Sequence, residues 1–135
     1  MYKNILVPVL LDKEHDTAAS YEVAQAISED GAKFHVIHVM ETIPSYATTQ
    51  IPQEILDHTR QEAAEEMNAS AKALPGAETH LVSGHAGRAI LDYADKHGCD
   101  CIVLASHRPG MEDFFLGSTA ARVVRHAKCS VHVIR

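Results

Sequence analysis

No apolar run in this sequence approaches the ~18 residues of a membrane-crossing helix, so no membrane association is expected. Cysteine is scarce: Cys99, Cys101 and Cys129 are the three in a chain of 135 residues. An odd number without metal-type spacing gives neither a disulfide framework nor a zinc site. All three are expected to be small buried hydrophobes, and Cys99 and Cys101, two apart, to point the same way if they share a strand. Positive charge is also in deficit. Twelve Lys and Arg against eighteen Asp and Glu leave a net charge of −6, which speaks against general nucleic-acid binding. No G-x-x-x-x-G-K-[ST] run is present, which excludes a P-loop NTPase, and no G-x-G-x-x-G follows the first apolar run, which excludes a standard dinucleotide fold. "SGHAG" around Ser83 is not G-x-S-x-G, so a serine-hydrolase nucleophile elbow is missing too. The opening "MYKNILVPVLL" has an apolar stretch too short for a usual secretory core and no small-residue cleavage site after it. The expected location is cytoplasmic.

Histidine, by contrast, is plentiful, with ten in the chain. His35 and His38 are three apart in a predicted strand and face opposite sides. His80 and His85 flank another short strand. No H-x-x-x-H pair falls on a predicted helix beside a third ligand, so the spacing gives no metal centre.

A composition of 46% apolar and 22% charged residues is that of an ordinary globular chain. One domain over residues 1–135 is expected, large enough to bury roughly two-thirds of its unfolded surface. "NILVPVLL" reads as a strand covered on both faces. In "DTAASYEVAQAISEDG", Ala19, Val23, Ala26 and Ile27 form one helical stripe, and Gly31 is placed to end the helix. There follow a strand "KFHVIHVM", a proline-flanked loop carrying Tyr46 that reads as a lid or a plain connection, and a long polar helix "QEILDHTRQEAAEEMNASAKAL". The charge run inside that helix reads as a solvated face. Then come a strand "THLVSG", a helix "GRAILDYADKHG" with Ile90, Leu91 and Ala94 inward, a strand "DCIVLAS", a helix "STAARVVRHAK" and a strand "SVHVIR". The alternation gives an α/β fold: an open, doubly wound parallel sheet with helices on both faces. Ligands in such sheets bind beyond the carboxyl ends of the strands, where strand order reverses. The last 31 residues carry +3 against −9 for the rest, so an anionic ligand would favour that end.

The stretch that invites a ligand is "ASHRPGMEDFFLGST", Ala105 to Thr119. It sets Gly117, Ser118 and Thr119 at a helix start, where free backbone N–H groups and the helix dipole attract anions. The plainer reading makes Ser118 an N-cap and Gly117 a turn residue. His107 either orients this loop or belongs to a site at the strand's end. Gly84 and Gly87 either serve turn and helix entry or give clearance beside a ligand.

The chain resembles the universal stress protein family from end to end. The nucleotide-binding pattern of that family is G-x-x-G, nine residues, then G-[ST], between the fourth strand and the last helix. Here Gly117-Ser118 match its close and Ser106-His107 match the common Ser-His. Ala105 and Arg108 replace the two glycines, and the spacer is one residue shorter. The form "ASHRP…LGS.AA.VVRHA.CSV.V.R" is similar to a subgroup of small single-domain members. An aspartate common after the first strand is here Leu10. The resemblance implies a Rossmann-like five-stranded sheet in order 3-2-1-4-5. It implies ATP or AMP, with Mg2+ as a companion ion, bound by Pro8, Val9, Leu10, Val39, Gly84, Ala105, Ser106, His107, Arg108, Gly117, Ser118 and Thr119. Adenine would lie between Pro8–Leu10 and Val39, and phosphates over Arg108, Gly117, Ser118 and Thr119. It further implies a regulatory stress-response protein with a protein partner, acting as a homodimer or higher oligomer through the last strand, Ser130 to Ile134, with Val131, His132 and Val133 near the seam. Two rivals stand beside this reading: a slow ATPase or self-phosphorylating protein, and a dimeric interaction module that has lost nucleotide binding through Leu10, Ala105 and Arg108.

Overall fold

The computed structural model describes residues 1–11, 17–41, 46, 49–105 and 116–135. Strands and helices alternate along them: β1 Tyr2–Pro8, α1 Thr17–Ile27, β2 Ser28–Met40, α2 Gln53–Ala71, β3 Glu78–Ser83, α3 Ala86–Lys96, β4 Cys101–Ala105, α4 Ser118–His126 and β5 Ser130–Ile134. The five strands form one sheet in order β3-β2-β1-β4-β5, and every pairing is parallel. The α/β fold expected from the alternation is the fold observed.

The apolar runs occupy the centre of the sheet because both faces there are covered. Ile5, Leu6 and Val7 of β1 and Cys101, Ile102, Val103 and Leu104 of β4 are buried. Side chains alternate between faces. Ile5, Val7, Val36, Cys101 and Val103 pack under α1 and α2, against Tyr21, Ala24, Met67 and Ala71. Leu6, Ile37, Ile102 and Leu104 pack under α3 and α4, against Ile90, Tyr93, Ala94, Ala120 and Val123. Each fully buried aliphatic side chain of this kind contributes roughly 1.5–3 kcal/mol of transfer free energy.

Several local expectations are corrected. The inward face of α1 is Ser20, Tyr21 and Ala24, flanked by Val23, while Ala26 is exposed. Tyr21 goes inward because its hydroxyl finds Ser70 Oγ at 2.7 Å, so the buried ring has its polar end satisfied. Helix α1 ends at Ile27 rather than at Gly31, and β2 starts at once. Two residue steps of β1, Tyr2 to Asn4, face five of β2, Ser28 to Lys33, so the Gly31 segment bulges out of the ladder. On α3, Tyr93 is buried with Ile90 and Ala94, and Leu91 is partly exposed.

The C-terminus of α3 closes in a Schellman pattern. Gly98 has φ +65°, Cys99 N–H donates to Ala94 O at 2.9 Å and Gly98 N–H to Asp95 O at 3.4 Å. A side chain at Gly98 would be strained in that conformation. This turn lifts Cys99 off the strand. Cys99 packs under α3 and α4, whereas Cys101 packs under α1 and α2; the two do not point the same way. Cys129 is partly buried.

Candidate functional site

The central strands part at their carboxyl ends. The β1–β4 ladder pairs Ile5 with Cys101 and Leu6 with Ile102, while β1–β2 pairing runs on to Pro8–Ile37 and β4–β5 pairing to Ala105–Ile134. The helix following β1 lies on one face of the sheet and the helix following β4 on the other. This is the topological switch point, where open α/β sheets form a ligand crevice.

One wall of the crevice is held firmly. Val9, 6% exposed, donates its N–H to Ile37 O at 2.8 Å, and its carbonyl lies 2.9 Å from His38 Nδ1. A carbonyl only accepts, so His38 carries its proton on Nδ1 and donates. His38 thus fixes the backbone of a predicted binding residue, a role its lone position in a strand did not suggest. Pro8 precedes Val9 at the end of β1, and Leu10, 46% exposed, opens to solvent. Val39 is partly buried on β2, and Ala105 ends β4.

The helix that follows β4 is α4, Ser118–His126. Gly117 is the N-cap, with φ −58° and ψ 152°, and it has no side chain with which to cap the first turn. Ser118 is therefore the first helical residue, not the cap, and Thr119 the second. The Gly117 conformation is open to any residue. Glycine at this position is not required by the backbone. A Ser or Asp cap would cover the first N–H groups with its own oxygen; glycine leaves them to another acceptor and lets it approach closely. The first turn carries no acidic residue, and the last carries Arg125 and His126, so the dipole stays favourable to an anion.

Gly84 lies further out. It follows β3 with φ +138°, which a side chain would strain, and its N–H donates to Met40 O at 3.0 Å. Strand β3 lies three strand spacings from β4, about 14 Å, so Gly84 sits on the rim of this edge. Gly87 has a packing role: a Cβ there would lie 2.7 Å from Arg122 Cδ, so the glycine lets α4 close against α3. Ser106, His107 and Arg108 lie outside the described residues, as does most of the loop around Tyr46.

A groove of about 360 Å³ lies beside Leu10 on the α2 side, lined in part by His38, Met40, Glu62 and Glu66. Its two carboxylates oppose a phosphate, so it does not compete with the α4 terminus for an anion. The thiols offer no nucleophile. Burial pushes Cys99 up to about 12 and Cys101 up to about 11, far from thiolate at neutral pH.

The sequence matches the universal stress protein family over residues 1–135. The chain belongs to the universal stress protein family. It is 33% identical over 139 residues to a universal stress protein of Thermus aquaticus, covering all of both chains. A solved universal stress protein from Lactobacillus plantarum is 30% identical, with TM-score 0.73 over 99% of this chain and 98% of that one. The universal stress protein of Archaeoglobus fulgidus, solved in complex with dAMP, shares the fold at 24% identity and TM-score 0.60, over 99% of this chain and 98% of that one.

Proposed function

We propose that this universal stress protein is a cytoplasmic regulatory protein that binds an adenine nucleotide, ATP or AMP, at the switch-point crevice. The observation that carries the reading is the start of α4. It has a glycine N-cap in an ordinary conformation that offers no capping side chain, it has no acidic residue in the first turn, and it follows β4, one of the two parting central strands. Phosphates would sit on the N–H groups of Gly117, Ser118 and Thr119, with the Ser118 hydroxyl as a further donor and the Arg108 guanidinium as a countercharge. Adenine would lie toward Pro8, Val9, Leu10 and Val39, against the backbone that His38 holds. Ser106, His107 and Ala105 would border the ribose, with Gly84 at the rim and Mg2+ accompanying ATP. The dAMP complex of the Archaeoglobus relative supports the choice of adenine nucleotide.

β5 is an edge strand, and pairing of Ser130–Ile134 with a second copy would cover it. Occupancy of the crevice would then be read by a protein partner of the dimer. Calorimetric titration with ATP, AMP and adenosine tests binding: micromolar or tighter affinity for a phosphorylated ligand, weaker for adenosine, is expected. No heat from any of them would leave the interaction-module reading, which Leu10, Ala105 and Arg108 favour. Phosphate release on prolonged incubation with ATP would instead favour the slow-ATPase reading.

A further inference from the structure

Away from the crevice, strands β2 and β3 assemble a cluster that the spacing of histidines did not reveal. Glu78 and His80 are two apart on β3, so they share a face. His35 pairs with Glu78 across the ladder, and Ile37 with His80. Ile37 packs under α3, and α3 closes the cluster with Tyr93, whose ring centroid lies 5.5 Å from that of His35 and 5.1 Å from that of His80. One potential ligand atom from each of His35, Glu78 and His80 lies within 4.8 Å of the other two. We propose that His35, Glu78 and His80 form a binding site for a divalent transition-metal ion of the zinc class.

The hydrogen bonds orient His35 for this role. Asn4 Nδ2 donates to His97 O at 2.8 Å and to Gly98 O at 3.2 Å, which fixes which way the amide faces. Its Oδ1 is then the atom 2.8 Å from His35 Nε2. An amide oxygen only accepts, so Nε2 carries the proton and Nδ1 presents its lone pair. Nδ1 accepts the Tyr93 O–H at 2.8 Å and lies 3.8 Å from Glu78 Oε2, so an ion takes this lone pair by displacing the Tyr93 hydroxyl. A metal-ligating imidazole whose other nitrogen donates to a fixed oxygen has this arrangement.

His80 supplies the second observation. Its Nε2 is buried without a hydrogen-bond partner among the described residues, 3.6 Å from Glu78 Oε2. A buried nitrogen left without a partner calls for an explanation, and a cation shared with Glu78 and His35 provides one. Ligand atoms around tetrahedral zinc, each ~2.0–2.1 Å from the ion, stand about 3.3 Å apart. The separations from Glu78 Oε2 to the two imidazoles, 3.6 and 3.8 Å, are close to that value, and the three ligand atoms, all within 4.8 Å of one another, must draw together by side-chain rotation to reach it. Two imidazoles and one carboxylate favour zinc and its neighbours over Mg2+ or Ca2+, which prefer all-oxygen shells. The Glu78 side chain is 66% exposed, which gives the ion an entry path and a water in the fourth position. Bound there, the ion ties edge strand β3 to β2, and through Asn4 to β1 and the end of α3.

The test titrates metal-free protein with Zn2+ against a chromophoric chelator, with thermal unfolding followed in parallel. One ion per chain at sub-micromolar affinity and a rise in Tm of several degrees are expected. His80→Ala and the surface change Glu78→Gln each weaken binding at least tenfold and abolish the Tm rise. His58→Ala, which removes the exposed His58–Glu62 pair on α2, leaves both unchanged. Equal Zn2+ affinity in wild type, His80→Ala and Glu78→Gln overturns the site, as does a wild type that binds no ion tighter than the micromolar range.

Discussion

Replacing Asn4 by alanine removes three side-chain hydrogen bonds at once: two donated to the carbonyls of His97 and Gly98, and one accepted from His35. Their losses differ because their surroundings differ. The two carbonyls lie at the exposed end of α3 and regain water, so each bond is worth only a few tenths of a kcal/mol. The His35 N–H is part of a residue 6% exposed, and a buried donor left without a partner costs about 1–3 kcal/mol. The sum is a destabilisation of about 2 kcal/mol, which in a chain of this size lowers Tm by about 8 °C. Urea unfolding of metal-free protein, followed by circular dichroism with a chelator present, measures it. The midpoint should fall with the slope unchanged. The same variant should bind Zn2+ about 10–100-fold more weakly, because a ligand loses the partner that sets its tautomer. A stability loss below about 0.5 kcal/mol would refute the reasoning, since Asn4 would then not be the acceptor that orients His35.

Tyr21→Phe, which deletes the bond to Ser70 Oγ beneath α1, should cost about 1 kcal/mol in the same unfolding assay; an unchanged midpoint would show that the hydroxyl contributes nothing there. The three thiols should resist a colorimetric thiol reagent at pH 8 and react fully once the protein is unfolded, because burial raises all three above the ordinary cysteine value. Fast reaction of Cys99 or Cys101 in native protein would contradict their burial. Proline at Val131 or Val133 removes a backbone donor from the β5 edge and should shift a dimer toward monomer in sedimentation; a monomeric wild type would end the edge-pairing proposal.

The legible parts of the sequence were those in which local pattern and tertiary environment agree. The unbroken apolar runs of β1 and β4 announced strands covered on both faces, and the glycine before Ser118 announced a helix start. Patterns failed where a polar group decides packing. The apolar stripe of α1 put Ala26 inside, but Tyr21 enters instead because Ser70 is there to meet its hydroxyl. Cys99 and Cys101 part company because Gly98 turns the chain before β4 begins. The histidine cluster is invisible to spacing along the chain, since His35 meets Glu78 and His80 through the β2–β3 register. A trace of it was nevertheless in the sequence: Glu78 and His80, two apart on a strand, share a face. The role of His38 depends on a carbonyl twenty-nine residues away, and no local pattern carries that information.

Calorimetric titration of AMP and ATP into wild type and Gly117→Val tests the crevice most directly. Gly117 has φ −58°, which valine adopts freely, so the variant should fold with its helix intact and differ only in the space before the first N–H groups of α4. Wild type should bind both nucleotides, and the variant should bind each at least a hundredfold more weakly with an unchanged circular dichroism spectrum. Ser118→Ala, losing one donor, should weaken binding by about 0.5–1.5 kcal/mol. Equal nucleotide affinity in wild type and a folded Gly117→Val would contradict a phosphate site at the start of α4.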